Sequence, residues 1–332
     1  MSTRSITVLG AGVLGLWQAL TLARAGNRVR LLEASAEPFA RSASLYAAAM
    51  LAPDREADPA LPLLREFGRA GVAQWQAVYP DLVSAGSIVV AGTRDRPEFE
   101  RFARLTQDYD AIDAAALKAL EPDLEGRFSA ALYFPAEAHM VPAAALAFLL
   151  EEVRRAGAEV EFGINGAPSN GDTIVDCRGL AARDSLPDLR GVRGERLIVR
   201  TREIALRRPV QLLHPRIPLY IVPWGDGLYM IGATVLETED AGPVTVRSAL
   251  ELLSAAYAVH PAFAEAEILD LGVGVRPSFP DNLPRVIVRE EGRRIFVNGA
   301  YRHGYLLAPV LARAVADYLA TGATMPWLRV EA

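Results

Sequence analysis

The chain has 332 residues, a length that fits one large α/β domain or two interlocked ones. Its net charge is −5 and its pI is near 5.6, and the sequence contains no basic run of the kind that binds nucleic acid or an anionic membrane. Its single cysteine excludes an internal disulfide framework and fits the reducing cytoplasm. No apolar run reaches the roughly 20 residues that cross a bilayer, a β-type run close to Met1 leaves no room for a secretory signal, and no histidine pair has metal-ligand spacing. We therefore expect a cytoplasmic protein without nucleic-acid, membrane or metal binding.

The first strand, turn and helix carry the strongest motif. An apolar run at Ser5–Leu9 ends in the pattern Gly10-x-Gly12-x-x-Gly15, apolar residues at helical spacing follow, and a second β-type run ends at Glu33. In such a turn the glycines allow a tight bend, the approach of a pyrophosphate to the helix N-terminus, and close packing of helix on strand. The terminal acid accepts ribose hydroxyls. The pattern predicts a dinucleotide site and leaves FAD and NAD open.

Small side chains dominate the next segment, Arg41–Pro53. On composition alone an Ala-rich buried helix is the expectation. A second interpretation is a backbone that lies close to something flat, with Ser42 and Ser44 capping a helix or contacting phosphate.

The middle of the chain alternates helical and β-type patterns. Predicted helices span residues 60–79, 96–108, 114–120 and 142–155, and predicted strands span 87–91, 130–134 and 158–162. The run from Asp172 to Gly179 is a strand followed by glycine, which suggests that the sheet returns to the cofactor at Gly179.

From Arg193 onward, short β-rich runs separated by Pro and Gly predict a large antiparallel sheet. These runs are residues 194–201, 209–214, 219–224, 228–232 and 268–275, with a helix at 245–258. Tyr220 and Ile221 alternate and so face opposite sides of the sheet. Arg276 ends a strand and is held by Pro277, and a buried strand at 295–299 then leads through a loop to a helix at 308–319.

The antiparallel runs interrupt the nucleotide-binding pattern. We therefore predict an α/β fold in which a Rossmann-like cofactor domain carries an inserted, α+β substrate domain with an antiparallel sheet. The cofactor domain is assigned to residues 1–80, 140–192 and 268–332, and the substrate domain to residues 81–139 and 193–267.

Five motifs in order resemble the D-amino-acid oxidase family of flavoproteins over nearly the whole chain. They are the first glycine turn with Glu33, the small-residue segment, Tyr220–Pro223 with Ile231–Thr234, Gly274–Pro277 with Pro280–Pro284, and Gly299–Pro309. The short length and the last motif most resemble the glycine oxidases of thiamine biosynthesis. Ala49, Ala300 and His303 depart from the family's usual glycine, histidine and asparagine, which leaves the substrate preference open.

The resemblance implies bound FAD, with N–H groups at a helix start near its flavin. The residues predicted to contact it are Gly10, Ala11, Gly12, Val13, Leu14, Gly15, Glu33, Arg41, Ser42, Ala48, Ala49, Met50, Gly179, Tyr301, Arg302, His303, Gly304, Tyr305 and Leu306.

It also implies three substrate residues. Arg276 would grip the substrate carboxylate in a bidentate pair, Tyr220 would close the pocket or share that carboxylate, and Arg302 would add positive charge. The alternatives are a structural salt bridge for Arg276 and a half-buried strand aromatic for Tyr220. No protein base is required if the amine arrives neutral.

The expected reaction is oxidative deamination of a small amino acid, glycine by preference, with oxygen as acceptor. Its products are an imine or glyoxylate, ammonia and hydrogen peroxide, with a hand-off of the imine to thiazole synthase and a homo-oligomer as further expectations. The alternative within this class is an oxidase or dehydrogenase of a D-amino acid, sarcosine or proline. Alternatives of other classes are an NAD-dependent dehydrogenase and a non-catalytic flavin-binding partner protein.

Overall fold

The computed structural model describes residues 3–56, 62–166, 173–214 and 219–331. In these ranges the chain forms seventeen strands and seven α-helices. The strands are β1 (Ser5–Leu9), β2 (Arg28–Glu33), β3 (Met50–Leu51), β4 (Ser87–Ala91), β5 (Asp110–Asp113), β6 (Ala130–Phe134), β7 (Ala138–His139), β8 (Glu159–Phe162), β9 (Thr173–Asp176), β10 (Arg190–Arg200), β11 (Val210–Leu213), β12 (Leu219–Gly225), β13 (Leu228–Gly232), β14 (Glu267–Ser278), β15 (Arg285–Arg289), β16 (Arg294–Asn298) and β17 (Leu328–Val330). The helices are α1 (Val13–Arg24), α2 (Pro62–Val78), α3 (Arg96–Leu105), α4 (Ala114–Leu120), α5 (Pro142–Arg155), α6 (Val246–Val259) and α7 (Gly304–Thr321). Over the same ranges, no helix combines the length and the apolar character needed to cross a bilayer.

The first sheet has the strand order β17-β15-β16-β9-β1-β2-β8. All neighbouring strands in it are parallel except β15 and β16. β1 lies near the middle, and its apolar run is buried on both faces, as expected for a parallel sheet that helices cover. α1 packs against α5 and α7, and these helices share one hydrophobic core with β1 and β2.

The second sheet has the order β14-β10-β13-β12-β11-β4-β6-β5 and is antiparallel except where β11 meets β4. α6 packs on β10, β12 and β13. The side chains between them, which include Leu197, Tyr229 and Leu252, form a separate hydrophobic core. The predicted fold class, a Rossmann-like part with an added antiparallel-sheet part, is confirmed.

The end of β14 connects the two sheets. Ser278 forms an isolated antiparallel bridge with Ala300, and the N–H of Tyr301 donates to the carbonyl of Pro277 at 3.2 Å. β14 itself pairs with β10 in the second sheet, although the prediction assigns residues from 268 onward to the cofactor domain. The division into domains stays a prediction. The bridge brings Arg276 next to the loop that precedes α7.

Two predicted segments differ from the structure in more than the position of a strand or helix end. Arg41–Pro53 is not an Ala-rich helix but a short 3₁₀ turn at Ala43–Tyr46 followed by β3, which pairs with β7. The last helix begins at Gly304 rather than at 308, so Pro309 lies inside it. Because proline has no N–H, it leaves the Tyr305 carbonyl without its helical donor, and the indole Nε1 of Trp75 donates to that carbonyl at 2.7 Å instead.

Gly71 of α2 permits the close packing of α2 on α7. A Cβ at this position would lie 1.9 Å from the Leu306 carbonyl oxygen. Replacing glycine by alanine in an open helix stabilises it by about 1 kcal/mol, whereas forcing extra volume into a packed site costs about 1–3 kcal/mol or more. We expect Gly71→Ala to lower the free energy of unfolding by about 1–2 kcal/mol in urea titrations. The exposed Ala73→Gly variant measures the ordinary glycine penalty in the same helix. A Gly71→Ala protein more stable than the parent would contradict this packing.

Candidate cofactor and substrate site

A cavity of about 800 Å³ lies where the two sheets meet. At one end its wall is formed by residues at the carboxyl ends of β1, β2 and β9, and at the other end by residues of β12 and β14. Ligands of open α/β sheets bind at the carboxyl ends of the strands. The cavity therefore joins a nucleotide-type site to the face of the second sheet.

The first glycine turn is compact enough to exclude side chains. Gly10 has φ +91°, and a Cβ there would lie 2.8 Å from the Cys177 carbonyl oxygen. A Cβ at Gly15 would lie 1.8 Å from the Gly10 carbonyl oxygen, so α1 touches the turn directly. Gly12 precedes α1 and lines the cavity. The N-terminus of α1, with its partial positive charge, thus opens into the cavity.

The Glu33 carboxylate is oriented by two backbone donors. The N–H of Ala11 donates to its Oε2 at 2.8 Å, and the N–H of Ser35 donates to its Oε1 at 2.9 Å. Each carboxylate oxygen has a second lone pair, and Glu33 lines the cavity. The side chain is therefore held in place and can still accept hydroxyl groups.

Two serines connect the small-residue segment to α1. The N–H of Val13 donates to Ser44 Oγ at 3.1 Å, and the N–H of Ser44 donates to Ser42 Oγ at 3.2 Å. Both serines line the cavity. They bring polar oxygens beside the first turn of α1.

Two residues other than glycine in the cavity wall have left-handed backbone conformations. Ala49 has φ +50° and Tyr301 has φ +48°. Left-handed backbone is strained for side chains other than glycine, so the neighbours must hold it. The N–H of Met140 donates to the Ala49 carbonyl at 3.2 Å, and Pro277 holds Tyr301 as described above. The conformation of Ala49 explains why glycine is the usual residue at this position of the motif.

Arg276 lies flat against β10. A Cβ on Gly194 would be 2.2 Å from Arg276 Nη2, so only glycine leaves room for the guanidinium. Arg276 Nη1 donates to the Thr234 carbonyl at 3.3 Å. Among the described residues, no salt bridge to Arg276 is formed, and the side chain lines the cavity. Its charge is therefore available to an anionic ligand.

Tyr220 reaches the same end of the cavity from β12. It pairs across the sheet with Gly232, whose missing side chain makes room for the ring. Burial raises the pKa of Tyr220, so its hydroxyl stays neutral and can donate a hydrogen bond. Ile221 points to the opposite face and is fully buried there, in agreement with the predicted alternation.

Arg302 is paired with a carboxylate. Its Nη2 lies 3.4 Å from Glu56 Oε1, and His303 Nδ1 lies 3.6 Å from Glu56 Oε2. Burial acts to raise the pKa of Glu56, but Arg302 and the other nearby cations outweigh it and hold that pKa below its usual value. Burial lowers the pKa of His303 to about 4, so the imidazole is neutral at pH 7. Arg302 is thus the permanent cation beside a charged Glu56.

A buried ion pair fixes the segment that carries Glu56. The side chains of Arg55 and Glu137 are each 1% exposed, and Arg55 Nε lies 3.2 Å from Glu137 Oε2. The backbone N–H of Arg55 donates to Glu137 Oε1 at 2.9 Å, and Ser87 Oγ donates to the other oxygen. Arg55 Nη1 also donates to Gln211 Oε1 at 2.9 Å. This network anchors residues 54–56 to the second sheet.

The sequence matches the family DAO, FAD dependent oxidoreductase, over residues 5–318. This chain belongs to the DAO family of FAD-dependent oxidoreductases. The predicted family is confirmed, FAD is its cofactor, and the NAD-dependent alternative is wrong.

The alignments with similar proteins cover nearly the whole chain. A Rhizobium etli protein assigned as the thiamine biosynthesis oxidoreductase ThiO is 49% identical over 328 residues, which are 98% of this chain and 99% of that protein. The bifunctional protein ThiO/ThiG of Trichormus variabilis is 27% identical and is matched by 98% of this chain over 54% of its own length. The crystal structure of glycine oxidase from Bacillus cereus superposes with a TM-score of 0.80 at 22% identity, covering 97% of this chain and 96% of that one, which shows a shared fold.

The residues of this DAO-family chain fit FAD. The N-termini of α1 and α7 both open into the cavity and favour negatively charged groups. The side-chain-free turn at Gly12 allows backbone approach, and the Glu33 carboxylate retains lone pairs for ribose hydroxyls. A Cβ at Gly10 would collide with the backbone of Cys177, directly after β9, so this turn can form only with glycine. When bound, FAD supplies the two-electron oxidation for which the family is named.

The structure brings most of the predicted site residues together. The predicted cofactor residues that line the cavity are Gly10, Gly12, Val13, Leu14, Glu33, Arg41, Ser42, Ala48, Ala49, Met50, Gly179, Tyr301, Arg302, Gly304 and Tyr305, and all three predicted substrate residues line it too. Four predicted residues are not part of the wall. Ala11 contributes its N–H to Glu33, Gly15 packs on Gly10, His303 faces Glu56, and Leu306 packs on α2.

Glu56 and Ser44 also line the cavity, although the sequence motifs do not mark Glu56 as a site residue or place Ser44 in the predicted cofactor set. Glu56 follows Pro53, where the small-residue motif ends, and nothing local distinguishes it from Asp54. Asp54 instead accepts from Arg65 and Arg69 on α2. The one feature of the sequence that could have indicated Glu56 is the presence of an acidic residue three positions after Pro53.

Glu137 is the carboxylate that faces the buried Arg55, and burial raises the pKa of Glu137 to about 7, so it compensates the Arg55 charge fully above that pH. Removing one member of a buried ion pair typically costs about 3–5 kcal/mol. We expect Glu137→Gln to lower the free energy of unfolding by about 3 kcal/mol, measured by urea denaturation of the FAD-bound protein. The exposed pair of Glu151 with Arg154 provides the control, and Glu151→Gln should change stability by less than about 0.5 kcal/mol. Equal effects of the two substitutions would show that burial of Glu137 is not what matters.

Proposed function

We propose that this protein is an amino-acid oxidase whose preferred substrate is glycine. The reaction converts glycine, water and oxygen into glyoxylate, ammonia and hydrogen peroxide. The observation that carries the proposal is Arg276, whose guanidinium faces the cavity of an FAD-dependent fold and forms no salt bridge within the described residues. A charge kept unpaired in a partly buried cavity is suited to an anionic ligand group.

In this proposal Arg276 binds the substrate carboxylate in a bidentate pair. Gly194 leaves room for the guanidinium, and the Thr234 carbonyl sets its direction. Such a pair fixes the α-carbon relative to the cavity wall, and orientation of this kind contributes strongly to rate. Tyr220, neutral because burial raises its pKa, donates a hydrogen bond to the same carboxylate or closes the pocket.

No protein base is needed if the amine binds in its neutral form. His303 is neutral at pH 7 and lies behind the wall, as described above. Oxidation then needs only the orientation that Arg276 and Tyr220 supply, with oxygen as the final acceptor.

The names of the relatives support a place in thiamine biosynthesis. The Rhizobium etli protein is assigned to that pathway. The Trichormus variabilis protein joins a ThiO half, the part this chain matches, to a ThiG half. We therefore propose that the imine is passed to a separate thiazole synthase and that this interaction takes place in the cytoplasm.

We also propose that the protein forms a homo-oligomer and that residues 81–139 and 193–267 form a separate substrate domain.

Arg276→Ala should separate substrate binding from cofactor binding. Loss of a charge-assisted bidentate pair costs several kcal/mol, so we expect the KM for glycine to rise by about 100-fold or more while FAD stays bound. Steady-state peroxide formation and the visible spectrum measure the two properties. Arg313→Ala, at an exposed pair with Asp317, is the charge-matched control. An unchanged KM would exclude the carboxylate role of Arg276.

The substrate is tested by the visible spectrum of the FAD-bound protein before and after anaerobic addition of an amino acid. We expect glycine to bleach the flavin bands faster than D-alanine, sarcosine or proline at equal concentration. Faster bleaching by one of the other three would keep the oxidase and change its substrate. Flavin bands that persist with every amine would favour the non-catalytic flavin-binding protein.

A further inference from the structure

Three carboxylates among the described residues line the cavity, and they differ in how they are held. Glu33 accepts two backbone N–H groups, and Glu239 accepts the Gly191 N–H and a bidentate pair from Arg183. Glu56 accepts no backbone N–H within the described chain, and its contacts to Arg302 and His303 are long, at 3.4 and 3.6 Å. Among these three carboxylates, Glu56 therefore has the most hydrogen-bonding capacity left for a ligand.

Glu56 is nevertheless held in one place. Its side chain is only 16% exposed, and the preceding residue, Arg55, is anchored through backbone and side chain to Glu137. Arg302 contacts it from the loop before α7. Burial of a carboxylate is costly without compensating charge, and Arg302 supplies that charge. The segment is thus built to present a negative group at this point of the wall.

Opposite charges consequently line the substrate end of the cavity. Arg276 reaches it from β14 and Glu56 from the segment after β3. The Tyr301 N–H donates to the Pro277 carbonyl at 3.2 Å, and Arg302, the next residue, lies 3.4 Å from Glu56, so the Glu56 carboxylate is held on the loop that packs beside Arg276. The Arg276 charge is one of those that lower the pKa of Glu56. An α-amino acid carries its carboxylate and its amino group on one carbon, so a positive and a negative side chain at the same end of the cavity can match both. Tyr220 lies at the same end and is neutral.

We propose that Glu56 is a specificity-determining residue that receives the amino group of the substrate whose carboxylate Arg276 holds. This inference rests on the proposed function. It follows that the pocket prefers ligands with a hydrogen-donating amino group next to the carboxylate. It also disfavours a second carboxylate there, since like charges in a partly buried site repel.

The test uses three ligands that share one carboxymethyl core. Glycine carries an amino group on the core, acetate carries hydrogen, and malonate carries a second carboxylate. Binding of acetate and malonate to the FAD-bound protein is followed by the change in the flavin absorbance spectrum. Glycine affinity comes from the concentration that gives half-maximal anaerobic bleaching. For the parent protein we expect the affinity order glycine, acetate, malonate.

Glu56→Gln should reduce the apparent glycine affinity by about 10- to 100-fold, the range of a charge-assisted hydrogen bond. Acetate affinity should stay within about 3-fold, and malonate should bind more tightly than to the parent. Glu56→Asp keeps the charge and should retain the parental order. The exposed Glu66→Gln, with the same change of charge, is the control and should alter none of the three.

A structural role for Glu56 predicts a different result. If Glu56→Gln weakens glycine and acetate equally, or leaves glycine unchanged, the inference is overturned while glycine oxidation stands. A parent protein that binds malonate as tightly as acetate also overturns it, and this outcome needs no variant. If no amino acid bleaches the parent flavin, the proposed function fails and the inference falls with it.

Discussion

The site depends on the short connection between the end of β14 and the loop after β16. Each sheet has its own hydrophobic core, so neither core alone determines how the sheets are placed. The Ser278–Ala300 bridge and the Tyr301–Pro277 hydrogen bond supply that placement. Gly299 makes the approach possible, because a Cβ there would lie 2.2 Å from the Phe279 ring. Through this connection the second sheet delivers Arg276 to the cavity that the first sheet opens.

Charge is distributed along the cavity by pairing and by burial. The end of the cavity at β1, β2 and β9 has the N-terminus of α1 and an oriented Glu33. The other end has Arg276, which forms no salt bridge within the described residues, and the Glu56 carboxylate, which Arg302 balances. Behind the wall, the buried Arg55–Glu137 pair contributes position more than stability, since desolvation offsets much of its attraction. Separate contacts position the two opposite charges: Arg276 donates to the Thr234 carbonyl, and the segment that carries Glu56 is held by the contact of Arg55 with Glu137.

The site residues that can be predicted from the sequence are those that lie close together along the chain. Gly10, Gly12, Gly15 and Glu33 form one strand-turn-helix-strand unit, so their roles follow from spacing and backbone geometry. The segment Arg41–Pro53 was misjudged on composition, since its alanines favour a helix while its contacts to α1 and β7 impose a turn and a strand. The start of α7 was misplaced for a similar reason, because Trp75, distant in sequence, replaces the donor that Pro309 lacks.

The sequence by itself determined the fold class, the family and the residue types at both ends of the cavity, because glycine turns, strand periodicity and short motifs express local rules of backbone geometry. Only the tertiary structure decided that Arg276 is free of a salt bridge within the described residues while Arg302 is paired, and that Glu56 belongs to the site. Those properties depend on contacts between segments far apart in the chain, such as Glu56 with Arg302. Pairing and burial are set by the packing of such segments, and no local pattern in the chain encodes them.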